Sequence, residues 1–489
     1  MIKNFKWLLL VSLAFAACNN DDDETEPVNV PVTAGSANFS KYVSLGNSLT
    51  AGFSDNALFK VGQLGSYTNI LAQQFKMVGG GDFNIPLAGD DNLGGLLLGG
   101  TPIQGTRLVF NGVGPVPVTG MPVTEVTNHL TGPFNNMGVP GAKSFHLLAA
   151  GYGNVAGVPS GQSNPYYARF ASSPTSKIIE DAVAQDATFF SLWIGNNDVL
   201  SYSTSGGSGV NQLGNPNPAT YGGNDITDPA VFATVYGTLL DAMTANGAKG
   251  VVANIPYVTT IPFFRTVPYN PVTLDEAKAA QLNGAFAAYN GGLIAVGGAI
   301  TAEERARRTI TFTAGKNPVV IVDSYLTNLS GIGLPSYRMA TSADLLVLPS
   351  STFIGTFVGG NPAAVNGVTV PLEDKWVLSK DEAAEVKAAT DAYNVSIKAL
   401  ADAKGLAFVD ANALLSKVYA GGIRYGNFHV SAAFVTGGAF SMDGVHPSAR
   451  GYALIANEFM EAINAKYGST FKPVDIAQYP IQYPSVISN

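Results

Sequence analysis

Short runs that are apolar at nearly every position follow helix-like stretches again and again along the chain, and this order restricts the fold more than any other feature. SKIIEDAVAQ (176–185) precedes ATFFSLWI (187–194), PAVFATVYGTLLDAMTANG (229–247) precedes KGVVANI (249–255), and KDEAAEVKAATDAYNVSIKALADAKG (380–405) precedes LAFVD (406–410). KYVSL (41–45) leads toward the amphipathic SYTNILAQQF (66–75), and SARGYALIANEFMEAINAKYG (448–468) reads as a final helix. A helix followed by a short buried strand, repeated, predicts an α/β fold in which a parallel sheet carries helices on both faces. Gly247 and Gly405 stand between helix and strand, where a left-handed cap lets the chain turn back tightly.

Two stretches do not fit this alternation and are expected to be insertions, one Gly-rich and near 79–120, the other near 262–376. Without a second linker or a repeat of fixed period, residues 38–489 are expected to form a single domain. At 489 residues the chain is long enough to bury about three quarters of its unfolded surface. Its single cysteine, Cys18, excludes an internal disulfide framework and any multi-cysteine metal site. The four histidines, at 129, 146, 429 and 446, lack the i, i+4 spacing of a metalloprotease helix, and no cofactor or metal is expected. A formal charge of -8 with only 13% charged residues and no basic cluster argues against a nucleic-acid partner.

The N-terminus has the layout of a secretory signal: Lys3 and Lys6 precede an apolar stretch from Trp7 to Ala17, and no internal run reaches the roughly 20 residues of a membrane span. The following FAAC resembles a bacterial lipoprotein signal, which implies that residues 1–17 are removed and Cys18 is lipidated; cleavage by an ordinary signal peptidase is the alternative. Residues 18–37 read as an acidic, Pro-containing, solvated linker. Loss of two lysines and no acids leaves 25 basic against 35 acidic residues, a charge of -10, so an acyl anchor rather than charge would hold the chain at a membrane. The expected location is the cell envelope, as an outer-membrane lipoprotein. Oligomeric state is not legible.

Three motifs carry chemistry. In GNSLTAG (46–52) the apolar strand ends just before Ser48, which delivers a hydroxyl to the carboxyl edge of a parallel sheet, where such folds build their sites. Gly46 is expected to permit a tight turn, and a helix start behind Ser48 would aim free N–H groups at developing negative charge. A serine there also fits as a simple helix cap. In DGVHPSARGY, Asp443 lies three residues ahead of His446, close enough to orient the imidazole while its other nitrogen faces a hydroxyl, and Pro447 is expected to start a helix. A capping aspartate beside an incidental histidine is the bland alternative. GNND (195–198) follows a buried-looking strand, so the Asn197 amide can reach the same edge, although an ordinary loop has the same composition.

In the order Ser, Gly, Asn, then Asp-x-x-His, these motifs together with NMGVPGAK (136–143) resemble the SGNH hydrolase superfamily, also called GDSL esterases and lipases. The resemblance implies a three-layer α/β/α sandwich with a parallel, flavodoxin-like sheet. It also implies Ser48 as nucleophile, His446 as base and Asp443 as its orienter, with Ser48, Gly141 and Asn197 forming the oxyanion hole. It departs from the family name in one place, where Asn47 replaces the acid of GDSL. The absence of G-x-S-x-G excludes the ordinary α/β-hydrolase elbow. The implied activity is hydrolysis of a small-molecule or lipid ester, lipid and acyl esters ranking slightly ahead of acetylated glycans. Apolar stretches such as LLLGG (96–100) and ADLLVLPSSTFIGTF (343–357) are candidates for an acyl pocket or lid, or simply for added core. The competing class is a surface lipoprotein that binds glycan or lipid without cleaving it.

Overall fold

In the computed structural model, residues 31–487 are described; the expected signal segment, Cys18 and residues 19–30 of the expected linker lie outside them, while the end of that linker is held on the domain, Ser36 N–H donating to Tyr467 O at 2.8 Å and Ala37 buried. Among the described residues the central sheet has five strands: β1 (Tyr42–Gly46), β2 (Asn136–Gly138), β3 (Phe189–Trp193), β4 (Lys249–Ala253) and β5 (Ala407–Val409). Their spatial order is β2-β1-β3-β4-β5 and every pairing is parallel. This is the doubly wound order in which the chain first builds outward on one side of β1 and then on the other. The loops leaving β1 and β3 therefore part from each other, and a crevice opens between them at the carboxyl edge. Gly46 of β1 lies opposite Gly138 of β2 and Trp193 of β3, so all three strand ends reach that edge together.

The strands are mostly apolar because both of their faces are covered; the polar Ser44, Asn136 and Ser191 are buried as well. On one face α2 (Tyr67–Lys76) packs against the final helix, which runs from Ala449 to Tyr467. On the other lie α3 (Ile178–Val183), α5 (Pro229–Thr244) and α6 (Lys380–Ala403), with α4 (Asn197–Thr204) against α6. The molecule is thus a three-layer α/β/α sandwich, as its alternating pattern predicts. A further helix, α7 (Ala411–Ala420), follows β5, which makes the final helix α8. On α8 the buried Tyr452, Ala456, Phe459, Met460 and Ile463 recur at helical spacing, and Phe459 meets Tyr67 of α2 at 4.8 Å between ring centroids. Full burial of a side chain of that size contributes about 2–3 kcal/mol. Ser379 and Glu382 close a capping box at the start of α6.

Residues 79–120 add two hairpins, Leu96–Leu98 with Thr101–Gln104 and Leu108–Phe110 with Pro115–Pro117. Residues 262–376 add hairpins and helices around small apolar clusters of their own. There the buried Arg338 binds Asp344 through two bonds of 2.7 Å and Asp323 through one of 2.5 Å, and Arg307 also binds Asp323 at 2.7 Å, so two guanidiniums balance two buried carboxylates. This segment also braces the acid–base loop, because Phe263 N–H donates to Gly444 O at 2.9 Å. The C-terminal stretch is held across the outside of the domain: Arg107 Nη2 donates to Pro484 O and Arg450 N–H to Pro480 O. Among the described residues no helix is long and apolar enough to cross a membrane.

Candidate active site

At the end of β1 a side chain at Gly46 would place its Cβ 2.1 Å from Thr50 Oγ1 and 2.4 Å from Trp193 O. Close approach of neighbouring atoms, and not the tight turn expected from the sequence, is what restricts this position to glycine. One helical turn follows, α1 (Ser48–Ala51), and its cap is Asn47: Oδ1 accepts Leu49 N–H at 3.0 Å. Capping thus falls to Asn47, and the hydroxyl of Ser48, the first helical residue, is left to make another contact. The Asn47 Nδ2 donates to Asn196 Oδ1 at 3.3 Å and joins the β1 and β3 loops.

The Ser48 hydroxyl lies 2.9 Å from His446 Nε2, and His446 Nδ1 lies 2.7 Å from Asp443 Oδ2. An ionised carboxylate only accepts, so Nδ1 carries the proton and Nε2 is the acceptor for the serine hydroxyl. Asp443 also accepts the N–H groups of Val445, His446 and Asn56 and the Ser441 hydroxyl. Burial pushes its carboxyl up, but the facing His446 charge and these N–H donors outweigh that and hold it below the usual range. The His446 side chain is 15% exposed and that of Asp443 8%, so the imidazole is open to a substrate while the acid is shielded behind it. Pro447 does not itself start the helix: Ser448 caps α8 by accepting Gly451 N–H at 3.1 Å, and Pro447 precedes the cap.

Gly141 sits in the turn after β2 at φ +80°, and its hypothetical Cβ meets only Asn164 Nδ2, at 3.9 Å, so backbone conformation selects glycine here. Asn164 pins the turn through Pro140 O at 2.8 Å. Asn197 is the first residue of α4 and not part of a loop; its Nδ2 donates to Ala142 O at 2.9 Å, which ties the amide to the neighbour of Gly141 and leaves its second proton uncommitted. Asp198 fastens the same pair of segments through the N–H and hydroxyl of Ser144, at 2.8 and 2.7 Å. Among the described residues the N–H groups of Ser48 and Gly141 have no hydrogen-bond partner. The sequence-predicted residues Ser48, Asn197, Asp443 and His446 therefore meet at one place, with Gly141 at the same sheet edge.

Below Ser48 and His446 opens a cavity with about 800 Å³ of empty space, its mouth to solvent included. Asn47, Ser48, Asn196, Asn197 and His446 form its polar end; the remaining wall is apolar and includes Leu200, Ile261, Leu414, Val418, Leu454 and Ile455. Neither 96–100 nor 343–357 lines it: the wall is built by α4, α7, α8, the loop after β4 and the 439–447 loop, while Leu96 and Leu345, Leu346 and Val347 are buried in apolar clusters, the added-core alternative. These liners are interleaved with ordinary core positions at helical spacing, and nothing in the sequence separates the two. Also missed in the sequence was Asp55, which stands against Asp443; the Asp-Asn pair of a tight turn was its only signal. Among the described residues no group of three or more His, Cys, Asp or Glu side chains is placed to hold a metal.

The sequence profile of the GDSL-like Lipase/Acylhydrolase family matches residues 42–459. No curated protein matches the chain. Among solved structures, it overlaps an α/β hydrolase from the metagenome of Lake Arreo, Spain, at 10% identity and a TM-score of 0.32, covering 88% of this chain and 96% of that one. A catalytic mutant of an acetylxylan esterase from Geobacillus stearothermophilus overlaps at 11% identity and a TM-score of 0.31, over 87% and 95% of the two chains. An extracellular lipase from Streptomyces rimosus does so at 12% identity and a TM-score of 0.28, over 87% and 99%. With the profile spanning the whole sheet and every motif of the site, the chain belongs to the GDSL-like lipase/acylhydrolase family of carboxylic ester hydrolases.

Proposed function

We propose that the protein is a serine esterase that cleaves lipid or acyl esters through Ser48, His446 and Asp443. The observation that carries this reading is the 2.9 Å contact between Ser48 Oγ and His446 Nε2, made by residues 398 positions apart. Ser48 Oγ attacks the ester carbonyl as its proton passes to Nε2; the resulting oxyanion is received by the N–H groups of Ser48 and Gly141 and the Asn197 amide. Collapse expels the alcohol, which takes the proton from His446, and water then releases the acid by the reverse sequence. Donors of this kind each lower the barrier by about 3 kcal/mol. A fluorophosphonate probe separates this reading from that of a silent glycan- or lipid-binding protein: it should label wild type and leave Ser48→Ala unlabelled, whereas equal labelling of both would end the assignment.

The apolar wall of the cavity supports a hydrocarbon acyl group over the acetyl group of a glycan ester, since an acetyl would leave most of that wall facing water. Leu454, on α8 eight residues beyond His446, is a wall residue with 7% exposure. Leu454→Trp should lower kcat/KM for p-nitrophenyl octanoate ~10-fold or more while changing the acetate rate little, because added bulk competes with methylenes for space. A wild type faster on acetate than on octanoate, with neither rate altered by the variant, would refute the acyl-ester substrate.

The same reading places the protein in the cell envelope as a lipoprotein anchored through Cys18. Its support is the charged-then-apolar leader ending in FAAC and the acidic linker behind it. In cells fed labelled palmitate, wild type should incorporate label and Cys18→Ser should not; label in both, or in neither, would remove the anchor from the proposal.

A further inference from the structure

Three residues beyond α1 the chain makes a tight turn, Ser54 to Ala57, whose two central residues Asp55 and Asn56 take left-handed backbone angles, φ +50° and +64°. Non-glycine residues adopt that conformation at some energetic cost, and here the surrounding bonds hold it. Asp55 N–H donates to Ser441 Oγ at 2.9 Å, and Ser441 Oγ donates onward to Asp443 Oδ1 at 3.0 Å. Asn56 N–H donates directly to Asp443 Oδ2 at 3.0 Å. In the opposite direction Met442 N–H donates to Asp55 Oδ1 at 2.9 Å. Ser54 Oγ donates to Pro447 O at 3.1 Å, and the Phe53 ring lies 4.6 Å from the His446 ring. The turn that follows the nucleophile thus grips the loop carrying its base from Ser441 to Pro447.

We propose that Asp55 is a positioning residue of the acid–base pair: its turn clamps the 441–447 loop to the Ser48 segment, and its negative charge moves the acid-side loss of turnover, set by His446, to higher pH. This inference rests on the serine-esterase reading. Asp55 is 2% exposed, and among the described residues no lysine or arginine forms an ion pair with it. The nearby Arg107 gives Nε and Nη2 to the carbonyls of Asn92, Pro484 and Ser485, and its charge, like that of His446, only partly offsets the rise that burial imposes on Asp55. Burial pushes the Asp55 carboxyl up to about 7 against the Met442 N–H, and the Asp443 charge adds to the rise. The charged and titratable groups that face it are Asp443 and His446 of the acid–base loop, Arg107, and Tyr483 of the C-terminal stretch. Asp55 accordingly gains its charge near neutrality, beside an imidazole that must lose its own proton to act as base. A negative neighbour favours the imidazolium, so ionisation of Asp55 opposes formation of the reactive pair.

The test is the pH dependence of kcat/KM for wild type, Asp55→Asn, Ser441→Ala and Ser48→Ala on one p-nitrophenyl ester. Asp55→Asn keeps the acceptor for Met442 N–H and loses the charge. Its acid limb should follow a single ionisation displaced about half a unit to lower pH, ~3-fold in rate at a fixed pH on the limb. A profile that overlays wild type in limb and height would overturn the proposal. Should Asp55→Asn not fold, Ser441→Ala decides, since it deletes one hydroxyl from the clamp and spares the Asp55 charge. It should lower kcat ~10-fold with KM within about twofold, because the reacting pair is misaligned while substrate binding is intact; an unchanged kcat would overturn the clamp. Activity retained by Ser48→Ala would refute the esterase reading itself, whereas an inactive Ser48→Ala beside an unshifted Asp55→Asn removes only the role of Asp55.

Discussion

Ser48→Ala is expected to lower kcat for a p-nitrophenyl ester by at least ~10⁴-fold, since the oxyanion donors and binding alone supply only the residual acceleration that survives loss of a nucleophile. The protein should remain folded. Among the described residues the Ser48 hydroxyl makes one hydrogen bond, to His446, and helix capping is done by Asn47, so the deletion removes neither a cap nor a packing contact. The stability change should be about 1 kcal/mol or less, read as a small shift in a thermal melt beside the lost activity. Hydrolysis at the wild-type rate by folded Ser48→Ala protein would exclude the mechanism.

Asp443→Asn should be nearly as damaging to turnover, ~10⁴-fold in kcat, and should also weaken the fold. The carboxylate accepts from three backbone N–H groups, one hydroxyl and one imidazole, and an amide has only one oxygen with which to do so. With its NH₂ toward His446, the variant faces Nδ1 with a donor and forces the proton onto Nε2, which can then no longer accept from Ser48. With its NH₂ turned the other way, it confronts the N–H groups of Val445 and His446. Each buried donor left unpaired costs about 1–3 kcal/mol. The native carboxyl lies below its usual range, so its contribution to stability is present above the ordinary carboxylate range and is lost as pH falls through the lowered value. The stability gap between wild type and Asp443→Asn should therefore close in acid, and a gap independent of pH would contradict the ionised role of Asp443.

Much of the sheet was legible because a strand buried on both faces is apolar at most positions and shows no alternation. YVSLG, FFSLW, KGVVA and AFV all appear in the chain as such runs, each beside a helix. The exception is β2, three residues long, whose NMG carries no periodicity and is a strand only because β1 lies beside it. At the site, the motif residues were legible because each stands at the end of a recognisable element. Their exact duties were less so: Asn47 caps where Ser48 also fitted, Asn197 opens a helix where a loop was as good a reading, and Pro447 stands ahead of the cap. Choices between adjacent positions turn on a few tenths of a kcal/mol of capping preference, which the local sequence leaves nearly balanced.

By itself the sequence determined what depends on neighbours along the chain: helix and strand periods, the left-handed glycines at 247 and 405, and an Asp443 spaced to reach His446 within one turn. Tertiary structure alone decided the contact of Ser48 with His446, the apolar cavity beneath them, and the burial of Asp55 against Asp443. The division has a physical origin. Backbone hydrogen bonding and side-chain periodicity act over a few residues and leave a repeating mark, whereas a cavity wall or a buried charge is made by segments hundreds of positions apart, whose meeting is set by how the layers pack.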